Sequence, residues 1–500
     1  MATKRNFEKL ERLKHMLDRG RAESGSPYGL PPERAQKWIL NFNIEHVHGP
    51  EEVDYGPDEL VVVCNVRDGR PYVRSFVEHY ASMGVKHIVF LDNGSTDGTV
   101  EALKGYDNVT VLRTTLPFKR YKVSMKQYLM ERFGRGRWSL CVDIDELFDY
   151  PYSDVVGLGS LLGYLNANSY TAVAAQMLDM FPEEPLSGRA GGPDEPLKER
   201  HRFYDVSDIR RKSIKEIRHL RNDVLRGGVR RTVYGATTLL TDRNNTLESY
   251  EIEVFSGGIR QTVFGSTVLL TKFPLVFLDG KVKPMNDSEH WVDNAKIADF
   301  TCVLFHYKFL DEYFHKQAAQ VAIEGQYGPV QEGQYGRNPA RYKKYLKVLN
   351  SNPALQLKRE TARELKSVND LLDDGFLVLS EEYMMLAADE EEHKRGAGRY
   401  DAPGSGPDGS EDEAAFYRAR AQAKVQALRA RRLERQLEDL QKQNRSQVEK
   451  LSKALKRVRK KNRNLTHQLR TIEASRSWRL LNGLARLRAR VAGTKRQEQR

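Results

Sequence analysis

Four short apolar runs constrain this chain more than any other feature. They are Leu60-Val-Val-Val-Cys64, Lys86–Leu91 (KHIVFL), Val109–Leu112 and Trp138–Val142. Runs of this length bounded by turn residues predict buried strands. Helical stretches separate them. Pro71–Met83 has Pro71 in its first turn, an apolar stripe of Val73, Phe76, Val77 and Tyr80, and Gly84 at its end. A second helix starts near Asp97, and Arg120–Phe133 is a third. Strand–helix alternation at this spacing predicts a parallel α/β sheet. Ligands of such sheets bind beyond the carboxyl ends of the strands. Two acidic motifs stand at such ends: Asp92–Thr99 (DNGSTDGT) and Asp143–Glu146 (DIDE).

The second motif interrupts an apolar run with three carboxylates. Asp143 and Asp145 are two residues apart, so on a strand they share a face, and Glu146 points to the other. Two carboxylates about 4 Å apart repel by roughly 4 kcal/mol at an effective dielectric of about 20. A divalent cation removes that repulsion, and oxygen ligands suit Mg²⁺ or Mn²⁺. The motif therefore predicts a metal-diphosphate site.

Composition narrows the class. The 500 residues exceed one ordinary domain. Net charge is +13, but residues 411–500 hold 26 Lys/Arg and 9 Asp/Glu, or +17, which leaves −4 for the first 410. A near-neutral core argues against nucleic acid as a partner. Cys64, Cys141 and Cys302 lie far apart in apolar runs, with no disulfide framework or zinc spacing, as in a reducing compartment. The first residues, MATKRNFEKLERLKHML, lack the apolar core of a secretory signal, and no run of 18 apolar residues exists. A cytoplasmic protein is expected.

The remaining chain divides by composition. Residues 1–58 are a lead-in, 59–310 the α/β domain, 311–388 a helical extension, 389–410 a disordered linker, 411–475 a coiled coil and 476–500 a basic tail. Ala172–Leu178 is a further strand ending at Asp179. Residues 183–225, rich in charge, Pro and Gly, suit an acceptor loop. Gly227–Thr241 (GGVRRTVYGATTLLT) and Gly257–Thr271 (GGIRQTVFGSTVLLT) form an internal repeat, identical at ten of fifteen positions. It either presents Arg230 and Arg260 to an anion or adds a strand pair at the sheet edge. Val303–Tyr307 is a late strand carrying His306. Helices are expected over Leu310–Glu324, Pro339–Leu349 and Leu355–Leu372. In the coiled coil, Leu437, Leu451, Val458, Leu465 and Ile472 share one heptad position with Asn444. Taken as a, that row leaves a poor d row of Gln447, Ala454, Lys461 and Gln468. A homo-oligomer is one reading. Arg476–Arg500 carries eight basic residues, with Leu480, Leu484, Leu487 and Val491 on one face and Trp478 nearby. It suits either an interfacial helix on anionic lipid or a solvated basic end.

The stretch LVVVCNVRDGRPYVRSFVEHYASMGVKHIVFLDNGSTDGT, followed by GRGRWSLCVDIDELFDYP, resembles bacterial glycosyltransferase family 2. The resemblance runs from Leu60 to about Phe309, and the coiled coil ending in SRSWRLL is similar to extensions on such enzymes. It implies a GT-A fold, a Rossmann-like mixed sheet flanked by helices, here followed by a linker and a long C-terminal helix. It also implies a nucleotide-diphospho-sugar donor, a divalent metal (Mn²⁺ or Mg²⁺), inversion at the anomeric carbon, and a saccharide or lipid-linked acceptor. Asp92 and Asp97 would lie at the nucleotide. Asp145 with Asp143 would hold the metal on the diphosphate, with Lys122 facing the phosphates. A late histidine, His306, would join the metal. Relatives usually carry Asn-Glu where this chain has Asp68-Gly69, so Arg67 and Asp68 would supply the donor contacts of that loop. The acceptor hydroxyl needs a carboxylate base; Asp179 is the candidate, with Glu183 and Glu184 as rivals. The product would be a surface polysaccharide or glycoconjugate, made at the inner face of the cell membrane. A nucleotidyltransferase acting on sugar phosphates and a non-catalytic coiled-coil scaffold remain as alternatives.

Overall fold

A computed structural model of the protein describes residues 32–186, 196–213, 246–247, 252–284, 290, 292–310, 339–397 and 411–497. They belong to two units, Met1–Leu428 and Arg429–Arg500. The fold of the first is mixed α/β, built on one ten-stranded sheet flanked by helices. Its strands are β1 (Glu45–His48), β2 (Val61–Val66), β3 (His87–Asp92), β4 (Val109–Arg113), β5 (Trp138–Asp143), β6 (Glu146–Asp149), β7 (Ala172–Asp179), β8 (Thr246–Leu247), β9 (Thr271–Phe277) and β10 (Lys296–His306). The spatial order is β1-β4-β3-β2-β5-β9-β7-β10-β8, with β6 also paired to β10. The expected parallel block β4-β3-β2-β5 is present. β9 then runs antiparallel between β5 and β7, and β1 antiparallel at the edge, so the whole sheet is mixed.

β2 and β3 are buried at every residue, which is why they read as continuous apolar runs. Two helices cover them. On α1 (Arg70–Ser82), Tyr72, Val73, Phe76, Val77 and Tyr80 pack with Val62, Cys64, Phe90 and Val142. On the opposite face α2 (Phe118–Phe133) presents Tyr121, Met125, Leu129 and Phe133 to Val61, Val63, Leu91 and Cys141. Each such buried side chain contributes about 1.5–3 kcal/mol. The chain leaves β2 toward β3 and β4 on one side, and β5 lies on the other. The ends of β2 and β5 therefore form the switch-point crevice where α/β sheets bind ligands.

Three readings of the sequence change. Residues 355–372 are not one helix: Arg363–Glu364 pairs antiparallel with Phe203–Tyr204, and only Asp370–Asp373 turns helical. Long-range strand pairing outweighs local helix propensity there. The second copy of the repeat adds no edge strands. It spans the end of strand Glu253–Gly257, a short helix, α3 (Ile259–Phe264), and the start of β9 in the sheet interior. Its first copy, with Arg230, lies outside the described residues, as do the expected helix over 311–324 and residues 187–195 and 214–225 of the loop 183–225. The helix Glu381–Ala397 runs on through the first residues of the stretch read as linker.

The second unit is helical. The helix Glu411–Ala474 starts in the first unit, where Val425 and Leu428 join the main core, and its remainder belongs to the second. Helix Arg476–Gln497 follows, capped by Ser475, whose hydroxyl accepts from the Trp478 amide at 3.2 Å. The apolar pairs Val448/Leu451, Leu455/Val458 and Leu469/Ile472 are three apart, the a-to-d spacing. Leu451, Val458, Leu465 and Ile472 are thus the d row, and the a row is Val448, Leu455, Asn462 and Leu469. In this phase the row Gln447, Ala454, Lys461 and Gln468 takes the g positions beside the seam. Among the described residues no helix is long and apolar enough to cross a membrane.

Candidate active site

Two loops cross the carboxyl ends of β2 and β3 and are stitched to each other. The Asp68 amide donates to Ser95 Oγ at 2.8 Å, the Gly69 amide to Thr99 Oγ1 at 2.9 Å and the Arg70 amide to Asp97 Oδ2 at 3.0 Å. In return the Thr96 amide donates to Asp68 Oδ1 at 2.7 Å. Asp68 makes this possible by adopting φ +50°, a left-handed conformation that Asp tolerates. A Cβ on Gly69 would stand 2.7 Å from Val66 Cγ2 and 3.2 Å from Ile144 Cγ1. The Glu usual in the resembling family would therefore not fit this loop, which lies against the DIDE turn.

Asp92 is fully buried. It accepts from the Gly94 and Ser95 amides at 3.2 and 3.0 Å and pairs with Arg113 at 3.1 Å. Asp97 also accepts from the Thr99 amide and hydroxyl. Both acids shape the loop from within. Arg67 Nε lies 3.8 Å from Asp68 Oδ2, half exposed.

Ile144 and Asp145 form a two-residue turn that swings the chain from β5 to β6, alongside β10. The strand does not run on through Glu146, so parity no longer separates that residue from its neighbours. Glu146 is 1 % exposed; it accepts from the Asp143 amide at 3.1 Å and from Lys272. The Tyr307 amide donates to the Asp145 carbonyl at 2.8 Å, which fixes the turn against the end of β10. There His306 Nε2 lies 3.3 Å from Asp145 Oδ2. On its other side His306 Nδ1 is 2.6 Å from Asp179 Oδ1, and Asp179 Oδ2 accepts from Arg260 Nε at 2.7 Å. Asp145, His306, Asp179 and Arg260 form one continuous chain of polar contacts.

The chain sets the protonation of its members. Burial works to raise the Asp145 carboxyl, but His306, Lys308 and the hydrogen bond to His306 hold it down at about 2. Burial likewise opposes ionisation of Asp179, and Arg260 and His306 outweigh it, so that carboxyl titrates below its usual range. Burial lowers the His306 imidazole, while Asp145 and Asp179 raise it above its ordinary value.

Asp143 is occupied differently from the sequence expectation. Lys126 Nζ lies 2.6 Å from its Oδ1 and Lys272 Nζ 3.3 Å from its Oδ2. Burial opposes its charge, but Lys126, Lys272 and Lys122 prevail and hold it well below the carboxylate range. Lysines thus relieve much of the repulsion that the sequence assigned to a cation. Among the described residues, the group whose ligand atoms gather within 4.8 Å of one another is Asp145, Glu146 and His306. In an octahedral set with bonds of about 2.1 Å, cis donors stand about 3.0 Å apart and trans donors about 4.2 Å, so these three side chains would have to draw together around an ion. Glu146 would have to release Lys272 to take part. Lys122 sits over the Phe118 ring at 5.5 Å. Glu183 pairs with Lys358 and Arg202, and His290 Nδ1 meets the Thr271 carbonyl at 3.1 Å. Neither belongs to the cluster. Arg260 is 7 % exposed and engaged by Asp179, so it is not presented to a ligand.

Sequence reasoning missed Lys126, Lys272 and Asn65. Lys126 follows Lys122 by one helical turn, a signal that could have been read. Asn65 is the last polar residue of the apolar run in β2 and is the register partner of Asp143 on β5, so the two side chains share a face. It is 6 % exposed, and neither carboxamide atom has a hydrogen-bond partner among the described residues.

Comparison with protein-family models finds no match, and comparison with curated proteins finds none. Among solved structures, a nucleotidyl transferase from Methanothermobacter thermautotroptrophicus is similar over 25% of this chain at 14% identity, with a TM-score of 0.15. The match spans 63% of that protein, under two thirds of its length, and at this score it carries no argument about fold or chemistry.

Proposed function

We propose that this chain is a metal-dependent, inverting glycosyltransferase that moves a sugar from a nucleotide-diphospho-sugar to a saccharide or lipid-linked hydroxyl acceptor. The observation that carries the reading is the meeting of Asp145 with His306 at the crevice between β2 and β5, beside Lys126 and Lys272. Asp145 and His306 would hold the metal, with Glu146 as a third donor. An imidazole among carboxylates is softer than the oxygen set Mg²⁺ prefers, which favours Mn²⁺. Bound there, the cation would act as a Lewis acid on the departing diphosphate. Lys126 and Lys272 are buried against Asp143 and Glu146 and would act on the phosphates only where one of those carboxylates releases them to the metal.

Asn65 is assigned to the nucleotide, since its buried donor and acceptor both await a partner. Asp92 and Asp97 shape the nucleotide loop through the hydrogen bonds above. Asp179 is a positioning residue rather than the acceptor base: its oxygens are engaged by His306 and Arg260, and it holds Nδ1 so that Nε2 faces the metal side. The exposed Leu480, Leu484 and Leu487 on a basic helix support attachment to an anionic membrane face.

The test is a panel of UDP-, GDP- and dTDP-sugars, with Mn²⁺ or EDTA, read by thermal shift and donor hydrolysis. Metal-dependent binding and turnover of one donor, abolished in Asp145→Ala, is expected. No binding or turnover of any donor refutes the proposal, and pyrophosphate release from a nucleoside triphosphate with a sugar phosphate would replace it with nucleotidyl transfer.

A further inference from the structure

The second unit carries an apolar seam that is exposed among the described residues. Val448, Leu451, Leu455, Val458, Leu465, Leu469 and Ile472 are between 47% and 69% exposed on one uninterrupted helix. Rows this regular are not scattered surface residues. Their a and d phasing runs from Val448 to Ile472, three and a half heptads or about 37 Å at about 1.5 Å per residue. That meets the three to four heptads a coiled coil needs. We infer that this seam pairs with the same seam of a second copy of this chain, as a parallel, in-register, two-stranded coiled coil.

Three features select that partner. The first is Asn462, the one polar member of the two rows across this span. In a parallel in-register pair a residues face their own copies, so the two Asn462 carboxamides hydrogen-bond to each other. In an antiparallel pair a faces d, and each Asn462 would be buried against an apolar residue, an unsatisfied polar group. The second is the placement of charge. The span holds nine Lys/Arg and one Glu. Seven of the nine cations fall at the outer b, c and f positions, and only Arg459 (e) and Lys461 (g) flank the seam. The third is the flanking match itself. In the parallel register g faces the following e of the partner, which sets Gln447 against Ser452, Ala454 against Arg459, Lys461 against Thr466 and Gln468 against Glu473. No like charges meet. A basic strand of this kind repels its copy through the outer faces, so apolar contact drives the pairing and salt assists it by screening.

Sedimentation and light scattering of the full-length protein test the inference. A dimer that tightens as NaCl rises is expected, and Leu455→Glu with Leu469→Glu should return the monomer at the same concentration. Lys453→Glu, at an outer f position, should leave the dimer intact. Both sites are exposed on the helix, so the core is not at risk. Orientation is read by Asn462→Cys. Cys64, Cys141 and Cys302 are buried, so the new thiol is the accessible one, and mild oxidation should give a covalent dimer. A monomer at every concentration overturns the inference, and a dimer that survives the double Glu variant places the interface elsewhere. A dimer that resists oxidation at position 462 refutes the parallel register. Pairing that weakens with salt makes the contact electrostatic and overturns the apolar seam.

Discussion

Asn65→Val separates a functional carboxamide from a structural one. In the free protein Asn65 buries a donor and an acceptor without partners among the described residues, each at a cost of about 1–3 kcal/mol. Val is close in volume, suits the β2 backbone and continues the run of Val61 to Val63. Its extra methyl contact must fit beside Asp143 and subtracts part of the gain, since overpacking costs about 1–3 kcal/mol. The net expectation is a stability gain of about 1–2 kcal/mol. Urea unfolding followed by the fluorescence of buried Trp138 measures it. The same substitution removes the hydrogen bonds assigned to the nucleotide, so the donor Kd should rise about 10- to 100-fold, at about 1.4 kcal/mol per decade. The two effects have opposite signs. A loss of stability with unchanged donor affinity would refute the reasoning, because it would mean the carboxamide is satisfied within the fold.

Arg260→Leu leaves Asp179 buried with His306 as its remaining partner, which suggests a loss near the lower end of about 3–5 kcal/mol. Adding Asp179→Asn should recover part of it in urea melts, and strictly additive losses would show that the pair is not coupled. Gly69→Ala forces a methyl against Val66 and Ile144; a loss of about 1–3 kcal/mol with weaker donor binding is expected, and wild-type melting and binding would remove the close-approach argument. Burial pushes the His79 imidazole down to about 3 and that of His201 down to about 4, so both are neutral in the fold and charge on unfolding near 6.5. The unfolded state then binds more protons between about 6.5 and 3, and stability, complete above that window, falls as pH drops through it. His79→Gln should flatten the acid limb of a stability–pH curve; an unchanged slope assigns acid sensitivity elsewhere.

What could be read from the chain followed the range of the interactions. The β2, β3 and β5 runs and the α1 stripe are local patterns set by burial on both faces of the sheet or one side of a helix, and they appear at the expected places. DNGSTDGT and DIDE are legible for the same reason: acids placed next to apolar runs mark strand ends. Residues 355–372 were misread because a two-residue pairing with Phe203–Tyr204, remote in sequence, overrode a helical composition. The heptad phase was in the sequence throughout, since the three-residue spacing of Leu455 and Val458 needs no fold to be seen.

By itself, then, the sequence determined the strand–helix order, the acids at the mouth of the sheet and the repeat of the C-terminal helix. It could not say what neutralises those acids. Asp143 meets Lys272 across 129 residues, Asp179 meets His306 across 127, and Arg260 meets Asp179 across 81. Such pairs depend on β9 entering antiparallel between β5 and β7, and on a two-residue turn that lays Asp145 against the end of β10. Only tertiary structure fixes these. A charge is fixed by its own residue, but its energy in a low-dielectric crevice depends on whatever the fold brings within a few ångströms.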